Sequence, residues 1–219
     1  MQKRTIILGD YNTAENGWTL GQWTLSDPEQ KTNYVEKPGG DGSWDLSTAH
    51  TDGIPRYKNR NLTVPLECSK GTREDRLRLV NELVNKLDGL EWQIVLPDDP
   101  DHYLVGRLHV AVNYCDLAHA MVTITGVCEP WLYSAKESVV ELTSTEEENT
   151  HIIYNSGRKA VVPMLTVDGD ITLRAGDSAV KLSAGAYKWP ALLLHPGITT
   201  LQYKGIGSLS LTFREAVLR

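Results

Sequence analysis

The densest gathering of metal-type ligands in the sequence is Asp98, Asp99, Asp101 and His102, interleaved with Pro97 and Pro100. Carboxylates and an imidazole at that density are the ligand set of calcium or of a transition ion. The run lacks the ligand spacing and central glycine of an EF-hand loop, and acidic residues among prolines are equally the chemistry of a tight turn, the simpler account. Gly39-Gly40-Asp41-Gly42-Ser43 offers backbone amides to a phosphate, but it carries no lysine and does not join a strand to a helix, so it fails as a P-loop. His50, His102, His109, His119, His151 and His195 are scattered without HExxH spacing, and no serine sits in a Gly-x-Ser-x-Gly elbow. Distant residues can assemble into a triad, yet no linear pattern speaks for one. The expectation is a protein with no catalytic residues, no cofactor and no metal.

Two aromatic residues suggest a different chemistry. Tyr187 and Trp189, aided by His195 or Arg174, could stack on sugar rings, because aromatic faces suit that contact. The competing account is that the two alternate on one strand face and pack a core. Cys68, Cys115 and Cys128 have no CxxC spacing and are odd in number, which points to free thiols of a reducing compartment rather than a disulfide framework or zinc site. A formal net charge of −6 speaks against nucleic-acid binding as the main task. Local exceptions are a basic group, Arg56, Lys58, Arg60, Lys70, Arg73, Arg76 and Arg78, and an acidic run at Glu146, Glu147 and Glu148. These are either solvated faces or complementary surfaces between copies. The apolar runs, such as residues 191–194, are strand-sized, and the basic N-terminus meets Gly9 and Asp10 too early for a signal-peptide core. Neither membrane insertion nor export is expected.

The elements that would position these residues follow from periodicity. Over 219 residues, 41% hydrophobic and 23% charged, the chain has material for one large or two small globular domains. From Thr72 to Asp88, Leu77, Val80, Leu83, Val84 and Leu87 recur at helical spacing. Thr72 is placed to cap this helix, Glu74 and Asp75 suit its first turn, and Gly89 suits a left-handed C-terminal cap. The period then changes to alternation, predicting a hairpin of residues 91–96 and 103–114 about a turn at 97–101, then a third strand from Ala118. Leu104, Leu108, Val110, Val112 and Tyr114 are expected on one face, opposite Arg107, His109 and Asn113, with Gly106 marking a bulge or a close approach. Beyond Ser134 short strands are predicted at 138–142, 151–155, 161–167, 171–174, 179–182, 186–194, 199–203 and 208–213, with turns such as Asp168-Gly169-Asp170 between them, as in a sandwich. The fold class read from this order is mainly β. An α+β domain over 1–134, an antiparallel sheet with one helix, precedes a β-sandwich over 135–219 that is expected to fold alone.

Between the N-terminus and the helix lies a segment without a catalytic pattern, Pro38-Gly39-Gly40-Asp41-Gly42-Ser43-Trp44-Asp45 followed by Gly53-Ile54-Pro55-Arg56-Tyr57-Lys58-Asn59-Arg60. Turn residues beside one large apolar ring and several cations suit docking better than chemistry. The segment, the helix and the hairpin containing Tyr103-Leu104-Val105-Gly106-Arg107 occur in the order of the N-terminal domain of the distal tail protein (Dit) family of long, non-contractile tailed bacteriophages, which the chain resembles over nearly its whole length. Lys159-Ala160-Val161-Val162-Pro163, Gly197-Ile198-Thr199 and the alternation of Leu209, Leu211 and Phe213 are similar to features of that family's galectin-like sandwich.

The resemblance implies a homo-hexameric ring at the virion tail tip, assembled in the host bacterial cytoplasm. The first domains would line a channel and the sandwiches would project outward. One face would meet the tail tube protein, the other a tail-associated lysin or fibre protein, and DNA would pass as unread cargo. On this reading Trp44, Arg56, Tyr57 and Arg60 are candidate assembly contacts. The alternative is a lectin-like module for host-cell adhesion with Tyr187 and Trp189 as glycan contacts; the chain has nothing matching the long carbohydrate-binding insertion of some relatives.

Overall fold

A computed structural model describes residues 4–51 and 53–219; residues 1–3, which open the basic N-terminal stretch read above, and Asp52 lie outside the described residues. The chain is mainly β, with one α-helix among the described residues. It divides into two compact units, one ending at Leu132 but including Arg219, the other spanning Tyr133–Leu218.

The first unit contains β1 (Ile7–Leu8), β2 (Tyr11–Asn12), β3 (Thr19–Leu20), β4 (Thr24–Leu25), β5 (Tyr34–Glu36), β6 (Ser43–Asp45), β7 (Arg60–Cys68), α1 (Arg73–Leu87), β8 (Glu91–Leu96), β9 (Asp99–Cys115) and β10 (Ala120–Cys128). Its antiparallel main sheet runs β2-β1-β8-β9-β10-β7-β3, with β4 also on β7. Helix α1 starts where the sequence indicates because Thr72 and Asp75 form a capping box: the Thr72 hydroxyl accepts from the Asp75 amide at 3.2 Å, and the Asp75 carboxylate from the Thr72 amide at 3.0 Å. It stops at Asp88, and Gly89 takes φ +73°. Val80, Leu83 and Leu87 are buried, Leu77 and Val84 half-buried. The unanticipated member of the stripe is Arg76, which is also buried, so the basic group around it is not one solvated face.

Two expectations for the β8–β9–β10 meander are corrected. β9 begins at Asp99, paired with Leu96, so Pro97 and Asp98 alone make the turn. Along β9, Val112 faces Val122, but Tyr114 faces Met121 and Cys115 faces Ala120, leaving Asn113 as an extra residue. That bulge shifts the alternation by one, so Tyr114 leaves the face that Leu108 and Val110 share.

The chain leaves the first unit within β11 (Leu132–Ser134); the second holds β12 (Ser138–Ser144), β13 (Asn149–Asn155), β14 (Met164–Ala175), β15 (Ser178–Leu182), β16 (Gly185–Lys188), β17 (Gly197–Phe213) and β18 (Ala216–Val217). The strands expected at 161–167 and 171–174 are largely fused into β14, and those at 199–203 and 208–213 into β17; Gly169 lies inside a strand, not in a turn. β14 and β17 pair from Met164↔Thr212 to Arg174↔Gln202. β12 and β16 flank one half of this ribbon, and β13 and β15 the other. Leu165, Leu209 and Leu211 from the first half and Ile171, Leu173 and Leu201 from the second share one hydrophobic cluster, so the ribbon curls over and packs on itself as a sandwich does. The strand expected at 186–194 ends at Lys188: Leu192 donates its amide to the Trp189 carbonyl in a turn, and Leu194 bridges to Val161.

Three carboxylates brace the first unit. The Thr72 amide holds Asp75 below the ordinary carboxylate range, the Val110 amide does so for Asp88, and the His119 and Ala118 amides for Asp116. A carboxylate whose folded pKa is depressed contributes stability that is complete above its unfolded value and is lost as pH falls through the folded one. The thermal midpoint of the first unit should therefore be highest above the ordinary carboxylate range and decline modestly as pH falls below about 4, since these groups are solvent-screened. Asp75→Asn should flatten part of that fall; a midpoint insensitive to acid in calorimetry would show that these contacts carry no linkage.

Candidate assembly surface

Between β4 and β7 the chain leaves the main sheet as an arm. Its root is zipped by backbone bonds: Ser26 and Asn61 bond at 2.9 Å, the Lys31 amide donates to the Arg56 carbonyl at 2.8 Å and the Lys58 amide to the Glu29 carbonyl at 2.8 Å. An ion pair of Lys58 with Glu29 lies alongside. Beyond the root stands a two-stranded hairpin, β5 with β6, in which Val35 faces Trp44. Its turn uses the glycine-rich run, with Gly39 at φ +71° and Gly42 at φ +75°, which explains the glycines without a phosphate. Every residue of β5 and β6 is exposed, Trp44 by 51%. A lone hairpin is marginal in water, so a surface covering this one would stabilise it.

All four candidate contact residues belong to the arm or its root, but they differ in what they present. Trp44 is on the hairpin and Arg56 is exposed at the root. Tyr57 is half-buried, edge-on to Trp131 with ring centroids 5.6 Å apart. Arg60 is only 3% exposed, and its Nε donates to the Ser26 carbonyl at 2.7 Å. Its charge is not displayed at the surface, contrary to expectation; it ties the arm's root to β7. Burial lowers its pKa below the ordinary guanidinium value, and burial likewise pushes the neighbouring Cys128 thiol up to about 11. A cavity of about 250 Å³ lies beside it, lined in part by Trp23, Leu25, Leu96 and Leu132.

Sequence reasoning missed Tyr34 and Val35, although their position before the glycine-rich run, with Ser43-Trp44-Asp45 after it, is a hairpin signal. It also missed Arg76. This side chain, 2% exposed, donates to the carbonyls of Gly71 at 2.7 Å, Asp116 at 3.1 Å and Leu117 at 2.6 Å, with a longer contact to Lys70 at 3.4 Å. It thereby clamps the loop before α1 to the loop between β9 and β10.

The other candidates are placed as follows. Both Asp99 carboxylate oxygens are engaged, one with His102 Nδ1 at 2.8 Å and one with Arg219 at 2.7 Å. Among the described residues no group of three or more His, Cys, Asp or Glu is placed to hold a metal ion. Tyr187 and Trp189 are half-buried and pack against the hydrophobic cluster of the second unit.

No protein-family model matches the chain, and no curated protein matches it. Among solved structures it is similar to the Dit protein (gp 19.1) of SPP1, described as a paradigm of the hub adsorption apparatus in phages infecting Gram-positive bacteria. The identity is 15%, the TM-score 0.69, and the match covers 96% of this chain and 98% of that one. At that identity the likeness is one of fold, and it takes in both units.

Proposed function

We propose that this chain is a non-enzymatic structural component of a bacteriophage tail, a hub protein that assembles with itself into a hexameric ring at the tail tip. The ring joins the tail tube to a fibre or lysin and leaves an opening for DNA. The observation that carries the reading is a fold shared over 96% of the chain with a phage adsorption hub. The uncovered hairpin bearing Val35 and Trp44 supports it, because an ordered, exposed apolar arm gains most from a partner surface. A net charge of −6 is consistent with a channel that passes DNA without holding it.

The lectin reading has no observation in its favour, since the rings of Tyr187 and Trp189 lean on the core of their own unit. Negative-stain microscopy of the purified chain, paired with a glycan array, separates the two. Rings with a central opening and no glycan signal are the expected result. Monomers that bind a glycan through Trp189 would overturn the hub reading.

A further inference from the structure

The cavity beside Arg60 lies wholly within the first unit, where the root of the arm meets the main sheet. Trp23, Leu25, Leu96 and Leu132 give it an apolar wall, and Asp98, Asp99, Arg219 and Arg60 add charges of both signs. Most of those charges are already answered. Asp99 is paired with Arg219 and His102, and Asp98 lies 3.8 Å from Arg4. Arg60 is the exception. Its Nε donates to the Ser26 carbonyl, but its Nη1 is buried and finds no acceptor among the described residues. Asp27 favours its charge only through space.

A guanidinium nitrogen taken out of water without an acceptor is costly, and an anion that reaches it relieves the cost. The lining sets the character of that anion. A carboxylate matches the planar fork of an arginine and can accept from two of its nitrogens at once. A bare inorganic ion would shed its hydration against four apolar side chains, whereas an apolar body attached to the carboxylate gains from the same wall. That body is small: a volume of about 250 Å³ falls below the roughly 300–1,000 Å³ of sites for drug-sized molecules. Trp23 in the wall favours an aromatic one.

We infer that this cavity is a binding site for a carboxylate carried on a small aromatic body, anchored by Arg60. Asp98 and Asp99 do not bar such a ligand, because each has its own cation. The group can arrive as a free small acid or as the carboxyl-terminal residue of a partner chain, and the chemistry of recognition is the same for both. The site is independent of ring formation.

The test titrates the full-length chain by calorimetry with phenylacetate and with phenylacetamide, its neutral isostere. Phenylacetate should bind saturably and about 10-fold or more tighter than the amide, the worth of a charge-assisted hydrogen bond. Arg60→Met should erase that preference. Because it also loosens the root of the arm, Leu25→Trp serves as a second variant: it fills the cavity from its half-buried wall, leaves Arg60 in place and should abolish binding. The peptide acetyl-Gly-Gly-Phe with a free carboxyl group separates the two sources, since its binding alongside phenylacetate points to a chain terminus and its exclusion to a free acid. Equal affinity of the wild type for acid and amide would reduce the site to a merely apolar cavity and overturn the inference. So would the absence of saturable phenylacetate binding, or binding that Leu25→Trp leaves unchanged. None of these results bears on the hub reading, which microscopy tests.

Discussion

Gly207→Ala should abolish the folded second unit, costing about 4 kcal/mol or more, a size reserved for strain or steric conflict that cannot relax. A Cβ at Gly207 would lie 1.9 Å from the Asp168 carbonyl oxygen, with φ at +145°. The clash is with backbone across the β14–β17 ribbon, so no side chain can swing aside. Gly205 and Gly169 stand in the same crossing, where a Cβ would meet the Asp170 oxygen at 2.1 Å and the Ile206 oxygen at 2.2 Å. These three glycines let two long strands bend together, and the bend folds one half of the ribbon over the other. Gly197→Ala is the control: φ is +91° but no atom lies within 4 Å of the added carbon, so only the conformational cost of about 1–2 kcal/mol applies. Chemical denaturation that gives the two variants equal losses would show that the close approach at the bend is not what makes Gly207 necessary.

Arg76→Ala is expected to destabilise the first unit by about 3 kcal/mol, since the carbonyls of Gly71, Asp116 and Leu117 lose a charged donor at once. Arg76→Lys should recover little, because an ammonium cannot span carbonyls on two separate loops as the planar fork does. Hydrogen exchange supplies a readout beyond global stability: the amides of Ala118 and His119, which the Asp116 carboxylate binds, should lose protection in Arg76→Ala before the rest of the sheet opens. Unchanged exchange there would mean that the Asx turn holds the loop by itself.

Helix α1 was legible in the sequence because its signals are local. Thr72 and Asp75 are three residues apart, Val80, Leu83 and Leu87 recur at helical spacing, and Gly89 follows the last turn. The glycine-rich run was legible as a turn for the same reason, but its flanking strands were not, since β5 and β6 are three residues each and carry too little pattern to register. Arg60 illustrates the opposite case. It sits in a polar, turn-rich stretch and reads as surface charge, yet its Nε bonds the Ser26 carbonyl, 34 residues earlier in the chain. Nothing within a few residues of Arg60 announces that partner.

By itself the sequence determined what neighbouring residues decide: a mainly β chain, one capped helix, a meander after it, and a strand-rich second half punctuated by turns. Steric preference and side-chain period act over a few residues and can be read there. Tertiary structure alone decided which strands fuse, where the bulge at Asn113 turns Tyr114 to the other face, which arginines leave the surface, and which apolar residues stay on it. Each of those outcomes depends on partners far along the chain. Arg76 meets Asp116 across 40 residues, and Gly207 lies against Asp168 from the facing strand. Leu117 stays exposed on a loop whose backbone is held both by that distant arginine and by the nearby Asp116 carboxylate.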